Sequence, residues 1–174
     1  MRKLLLLLVL CLPFALSAQK SSRQKKAEKK KEKHEKLLQL IESMEFVIET
    51  HTIRDKRGRQ SFVSPTTNFV AIADSAGVIQ IATNNFAPGL NGLGGQTIQG
   101  RITRFEIEDN GIGKGVDIRI TFFGLAAFDF FVNISENRYA TLYLSGSQGQ
   151  QLRFIGNIIP LEESDIFVGN PAFR

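Results

Sequence analysis

The sequence predicts a mainly β (α+β) protein, an antiparallel meander of about eight strands behind one N-terminal helix. Three observations carry this. From Phe46 onward the apolar residues recur with period two. Turn-forming residues break that pattern about every 8–12 residues. No connection between the strand-like runs is long enough for a crossover helix, which parallel pairing would need. Clean alternation gives each strand one buried and one wetter face. A curled sheet, a closed barrel and a two-layer sandwich all satisfy the pattern.

The chain begins MRKLLLLLVLCLPFALSAQK. Arg2 and Lys3 precede an apolar run of 13 residues, Leu4 to Leu16, and Ser17-Ala18 offer small residues for cleavage. This is the layout of a secretory signal peptide, and the run is shorter than the roughly 20 residues of a membrane span. The predicted organisation is a signal peptide over residues 1–18, a basic arm over 19–36, one β-rich domain over 37–168 and a tail over 169–174. Cleavage after Ala18 removes Cys11, the only cysteine. The exported chain then has no thiol for a disulfide, a nucleophile or a metal. The expected location is the periplasm or cell envelope.

Residues 20–36 hold nine Lys/Arg against three Glu, whereas residues 37–174 hold 11 Lys/Arg against 14 Asp/Glu. A basic arm is therefore joined to a mildly acidic body. Lys and Glu favour helix, and Leu37, Leu40, Ile41 and Met44 follow the i, i+3, i+4, i+7 spacing of an amphipathic one. The expected helix runs from about residue 25 to about 44, its first half exposed and its second half docked. Lys25, Lys26, Lys29, Lys30 and Lys33 form a candidate surface for an anionic membrane or cell-wall polymer. The arm lacks the aromatic residues that accompany nucleic-acid binding, so no nucleic-acid partner is expected.

In the first strand, residues 46–54, the parity puts Phe46, Ile48, Thr50 and Thr52 on one face and Val47, Glu49, His51 and Ile53 on the other. Residues 54–59, RDKRGR, read as a turn. Residues 68–73 and 78–83 make a hairpin about Asp74–Gly77. Residues 97–102 and 104–109 are strand-like, but the parity slips between Ile102 and Phe105, which predicts a bulge near Thr103. After the Asn110-Gly111 turn, residues 116–123, 128–135, 139–145 and 151–158 alternate cleanly.

Few residues offer chemistry. His34 and His51 are isolated, are expected at the surface, and cannot make a usual zinc site without cysteine or several carboxylates. No G-x-S-x-G elbow is present, and neither glycine-rich stretch leads into a phosphate-binding helix. No cofactor is expected. The carboxylates Glu106, Glu108 and Asp109, or Glu162, Glu163 and Asp165, would be the groups of a hydrolase without a recognisable motif. The missing Trp weighs against a carbohydrate module. Phe123, Phe131 and Phe86 depart from the inward parity and are candidate ligand or partner contacts. Leu90 joins them, because the loop APGLNGLGGQ (87–96) exceeds the usual two to five residues of a hairpin and lies beside any pocket as a flap.

Taken together, LLQLIESMEFVIE, SPTTNFVAI, NFAPGLNGLGGQTIQGRI, FEIEDNGIGKGVDIRITFF and YATLYLSGSQGQQLRFIGNI resemble domain-of-unknown-function family 4251, secreted proteins of Bacteroidetes-type bacteria. The resemblance covers about residues 37–160. It implies an exported β-rich domain and carries over no functional residue. The expected function is a non-catalytic module that binds a small molecule or an envelope protein; the alternatives are the carboxylate hydrolase and a tether acting through the basic arm.

Overall fold

A computed structural model describes residues 2–83, 85, 89, 91–146, 149 and 151–169, with side chains from residue 22 onward. Helix α1 spans Arg2–Glu42. It is followed by strands β1 (Glu45–Asp55), β2 (Gln60–Phe62), β3 (Phe69–Ala73), β4 (Ala76–Ile81) and β5 (Gln96–Asp109), then β6 (Val116–Phe123), β7 (Ala127–Ile134), β8 (Tyr139–Gly146) and β9 (Gln151–Pro160). Every pairing is antiparallel, each long strand lies beside its sequence neighbour, and β9 returns to pair with β1. Strands β1 and β3–β9 thus form an eight-stranded closed barrel. Closure leaves no free sheet edge along the seam.

Strand β2 directly follows the predicted turn over 54–59 and uses the same edge of β1 as β3 does. Glu45–Glu49 pair with β3, and Thr52–Arg54 pair with β2. The charged segment 54–59 carries the expected turn, with Arg54 and Asp55 still part of β1. The amides of Thr50 and Val63 bond to Asn68 and His51 across the gap between the two short strands.

The register of β1 with β9 shifts between Thr50 and Thr52. This bulge corrects the expected parity: Ile53, not Thr52, joins Phe46 and Ile48 in the interior. Opposite the bulge stands Gly156, paired with Thr50. A Cβ there would lie 1.8 Å from the Glu49 carbonyl oxygen, so only glycine lets the two strands approach. The other bulge falls between Ile102 and Arg104 of β5, where the broken parity around Thr103 predicts it.

The inward residues fill the barrel. Phe46, Ile48 and Ile53 meet Val70, Ile72, Ile118, Phe122, Phe130, Leu142 and Phe154 in one cluster, the arrangement an eight-stranded barrel has room for. Leu37, Leu40 and Ile41 of α1 belong to the same cluster, so the C-terminal half of the helix plugs one end. The helix starts earlier than the expected residue 25 and stops at Glu42. Leu, Lys and Glu are all good helix formers, and Met44 reverses the chain with φ 53°. Among the described residues, no helix is long and apolar enough to cross a membrane.

A second, smaller apolar cluster lies on the outer wall, where Val47, Phe69 and Ala71 are covered by Leu161 and Ile166. The segment after β9 begins with a 3-10 turn, Leu161–Glu163, and is pinned by Gln80. Its Nε2 donates to the Phe167 and Thr67 carbonyls, and its Oε1 accepts from the Gly169 amide and Thr97 Oγ1. Gln80 and Thr97 are fully buried, and these bonds satisfy them.

Candidate functional site: the open mouth of the barrel

A meander sends alternate connections to opposite ends. The α1–β1, β3–β4, β5–β6 and β7–β8 turns gather at the plugged end. There His34 is 4% exposed, which corrects its expected place at the surface. Its Nε2 lies 2.9 Å from Asp109 Oδ1, and its Nδ1 lies 3.4 Å from Glu136 Oε1, close but not aligned as a hydrogen bond. Glu136 also accepts from the Gly113 amide. The helical spacing holds the reason: His34 stands three residues before Leu37 and extends the apolar stripe by one turn. Asp109 accepts from the Gly111 amide at 2.7 Å. That bond, with the His34 contact second, holds its carboxyl below the ordinary aspartate range.

The other end carries the β1–β2, β4–β5, β6–β7 and β8–β9 connections. A cavity of 510 Å³ opens there. Its wall is Ile79 and Ile81 of β4, Ile98 of β5, Phe128 of β7, Leu144 of β8 and Leu152 of β9. These are inward positions near that end: Ile79, Ile81 and Leu144 are buried members of the core cluster, and Ile98, Phe128 and Leu152 are partly buried against it. The rim is charged: Lys56, Arg57 and Arg59 stand on the β1–β2 turn with Asp55. Burial pushes the Asp55 carboxyl up, but the Arg59 side chain and the Arg59 and Arg57 amides more than offset it, and the carboxyl titrates below its usual range. The Arg59 Nε to Asp55 Oδ2 distance is 2.7 Å. No ion pair holds Lys56 or Arg57 among the described residues.

The β4–β5 loop flanks this mouth. Phe86 and Leu90 lie outside the described residues. The part from Asn91 to Gly95 is tightly held rather than a free flap. Asn91 is buried, its Oδ1 accepts from the Leu93 and Gly95 amides, and its Nδ2 reaches the Ile81 carbonyl and Thr97 Oγ1.

The predicted aromatic contacts stand elsewhere. Phe123, 60% exposed, closes β6 beside Leu125 over a shallow hollow on the β5–β6 face. Phe131 lies on the outer wall, 6.3 Å from the Tyr143 ring, with Arg119 5.4 Å above it. The candidate carboxylates do not converge. Glu106 pairs with Arg104, Glu108 with Arg119 and Asp109 with His34. Among the described residues no cluster of His, Cys, Asp and Glu is arranged to hold a metal. Lys25, Lys26, Lys29, Lys30 and Lys33 are exposed along α1, and Lys33 Nζ reaches Asn137 Oδ1 at 3.4 Å. Sequence parity puts Phe128, Leu144 and Leu152 of this wall on the inward faces of their strands. The available signal was their position: inward parity within two or three residues of turns at one common end.

An eight-stranded meander barrel, plugged at one end by a helix and, among the described residues, open at the other over an apolar wall, is the class the fold defines. Residues 28–158 match the family model described as Domain of unknown function (DUF4251), and the chain belongs to that family. Among solved structures it is similar to a DUF4251 family protein from Bacteroides eggerthii DSM 20697. The identity is 23%, the match covers 78% of this chain and 92% of that one, and the TM-score is 0.64. That likeness speaks to the fold. No curated protein matches the chain.

Proposed function

We propose that the protein is an exported, non-catalytic binding barrel that takes an apolar ligand into its open mouth. One observation carries the reading: a 510 Å³ cavity with six aliphatic or aromatic wall residues lies at the end the helix leaves uncovered. Its size and mostly apolar lining match small-molecule sites in general, which also favour the mouths of barrels. Export rests on the leader layout at Arg2–Ala18.

Titration with an uncharged lipophilic fluorophore tests the reading. Saturable one-to-one enhancement is expected, and it should be abolished in Leu152→Glu, which puts a carboxylate on the wall at a partly exposed position. Enhancement that neither saturates nor responds to that substitution would overturn it. A second reading, contact of the arm with an anionic surface, is favoured by the exposure of every residue from 22 to 33.

A further inference from the structure

Outside the apolar wall, the same rim carries a second hollow of 510 Å³. It is lined by Arg54 and Lys56 of the first hairpin and by Tyr143, Ser145 and Arg153 of β8–β9, and it shares Asp55, Lys56, Leu144, Gln151 and Leu152 with the mouth cavity. Arg54 and Arg153 are direct cross-strand partners. Two cations placed so repel each other, and no carboxylate pairs with either among the described residues. Arg153 stacks over the Tyr143 ring at 4.6 Å. Arg54 donates to Gln60, and its Nε is buried without a hydrogen-bond partner among the described residues.

Among the described residues, the two hollows together are lined by five cationic residues, Arg54, Lys56, Arg57, Arg59 and Arg153, against one carboxylate, Asp55. That carboxylate is already engaged by Arg59 and by two amides. The charge reverses the acidic balance of residues 37–174, so it is local to this lip. The outer wall supplies cations for a charged group, and the inner wall, joined to it through the shared rim residues, supplies apolar surface for a chain.

We infer that the ligand of the barrel is a single-chain amphiphile with a phosphate head, its chain in the mouth and its head seated between Arg54, Lys56 and Arg153. The inference rests on the binding reading above and names the ligand class for it. Two guanidinium groups and an ammonium offer forked and point donors to a tetrahedral dianion. A carboxylate would engage fewer of them.

The test compares lauroyl lysophosphatidate, monolauroylglycerol, laurate and glycerol 3-phosphate by calorimetry on the chain starting at Gln19. Lysophosphatidate should bind about tenfold or more tighter than the uncharged glyceride, the effect of charge-assisted hydrogen bonds, with laurate between them. In Arg54→Gln/Arg153→Gln this preference should fall to within about twofold while glyceride binding persists. Lys56→Gln lies on the exposed turn, keeps the Arg153–Tyr143 stacking, and should lower the preference on its own. Equal binding of lysophosphatidate and glyceride by the wild-type chain would overturn the head-group assignment and leave the apolar mouth standing. A preference that survives both variants would overturn it too. Glycerol 3-phosphate binding as tightly as lysophosphatidate would make the hollow a site for free phosphate esters and refute the amphiphile. Loss of binding to all the lipids would refute the mouth itself.

Discussion

Gly156→Ala should open the barrel at its closing seam. The added Cβ would stand 1.8 Å from the Glu49 carbonyl oxygen, 2.7 Å from its carbon and 2.9 Å from Thr50 Cα, whereas ordinary contact begins at 3.4 Å. The shortfall against the oxygen is 3.4 − 1.8 = 1.6 Å. All three obstacles are backbone, so no side chain can swing aside, and β9 must separate from β1 where Thr50 faces Gly156. Overpacking a well-filled site costs about 1–3 kcal/mol and occasionally more; an all-backbone clash at the seam belongs at the top of that range, about 3 kcal/mol. Against a typical domain stability of about 5–15 kcal/mol, that is a large fraction. Gly77→Ala is the matched comparison, because its Cβ would meet a Phe122 ring carbon at 3.1 Å and the Ala71 oxygen at 3.3 Å, gaps that need a few tenths of an ångström. It should cost no more than about 1 kcal/mol, since reduced freedom of the unfolded chain returns about 0.4–1. Urea unfolding followed by circular dichroism measures both. Equal midpoint shifts for the two variants would refute the argument that the bulge in β1 and the glycine in β9 are one closing device.

Two further outcomes concern α1. Asp109 titrates below its ordinary value of 3.8, chiefly through the Gly111 amide and then His34. Its contribution is therefore fully present above that value and disappears as pH falls through the lowered folded value. Amide exchange across residues 34–42 should accelerate in that acid window, and Asp109→Asn should flatten the dependence; acceleration that is the same in the variant would refute it. The arm should bind vesicles containing anionic lipid with an affinity that falls steeply with salt, each near-surface lysine contributing about 1 kcal/mol. Replacing Lys25, Lys26, Lys29 and Lys30 by Gln should abolish co-sedimentation, and salt-insensitive binding would exclude the tether.

The strands were legible because period two over buried faces is a property of the sequence itself. Val116, Ile118, Ile120 and Phe122 are buried while Arg119 and Phe123 are exposed, as alternation requires. The Thr103 bulge was legible for the same reason, as a break in parity. The bulge in β1 was not, because Thr50, His51 and Thr52 fit either face and only the Gly156 partner, about a hundred residues away, decides between them. Strand β2 was hidden among charges because its pairing depends on an edge of β1 that β3 leaves vacant. Closure of the barrel, and with it the mouth, depends on β9 meeting β1, a long-range pairing with no local signal. His34 was misplaced because neighbouring lysines masked its alignment with Leu37.

The mouth residues raise a sharper question, because Ile81, Ile98, Leu144 and Leu152 read equally as unfinished core and as a ligand wall. Filling the cavity separates the two. Phe46, Phe122, Phe130 and Phe154 belong to the packed core, whereas among the described residues Phe128 is the single phenylalanine lining the cavity. Phe122 and Phe130 face Phe128 and Leu144 across their strand pairs, so the cavity lies directly against the phenylalanines of the core. Ile98→Phe adds ring atoms on an inward, partly buried position facing that space. Cavity filling commonly gives about 0.5–2 kcal/mol of stability, and its recurrent cost is function. If the cavity is a ligand wall, the variant gains stability in urea and loses binding of the lipophilic fluorophore. If it is merely unfilled core, stability rises and the fluorophore, seated elsewhere, binds as before. A variant that loses stability instead would mean that the mouth has no room for a ring, and the binding reading would fall with it.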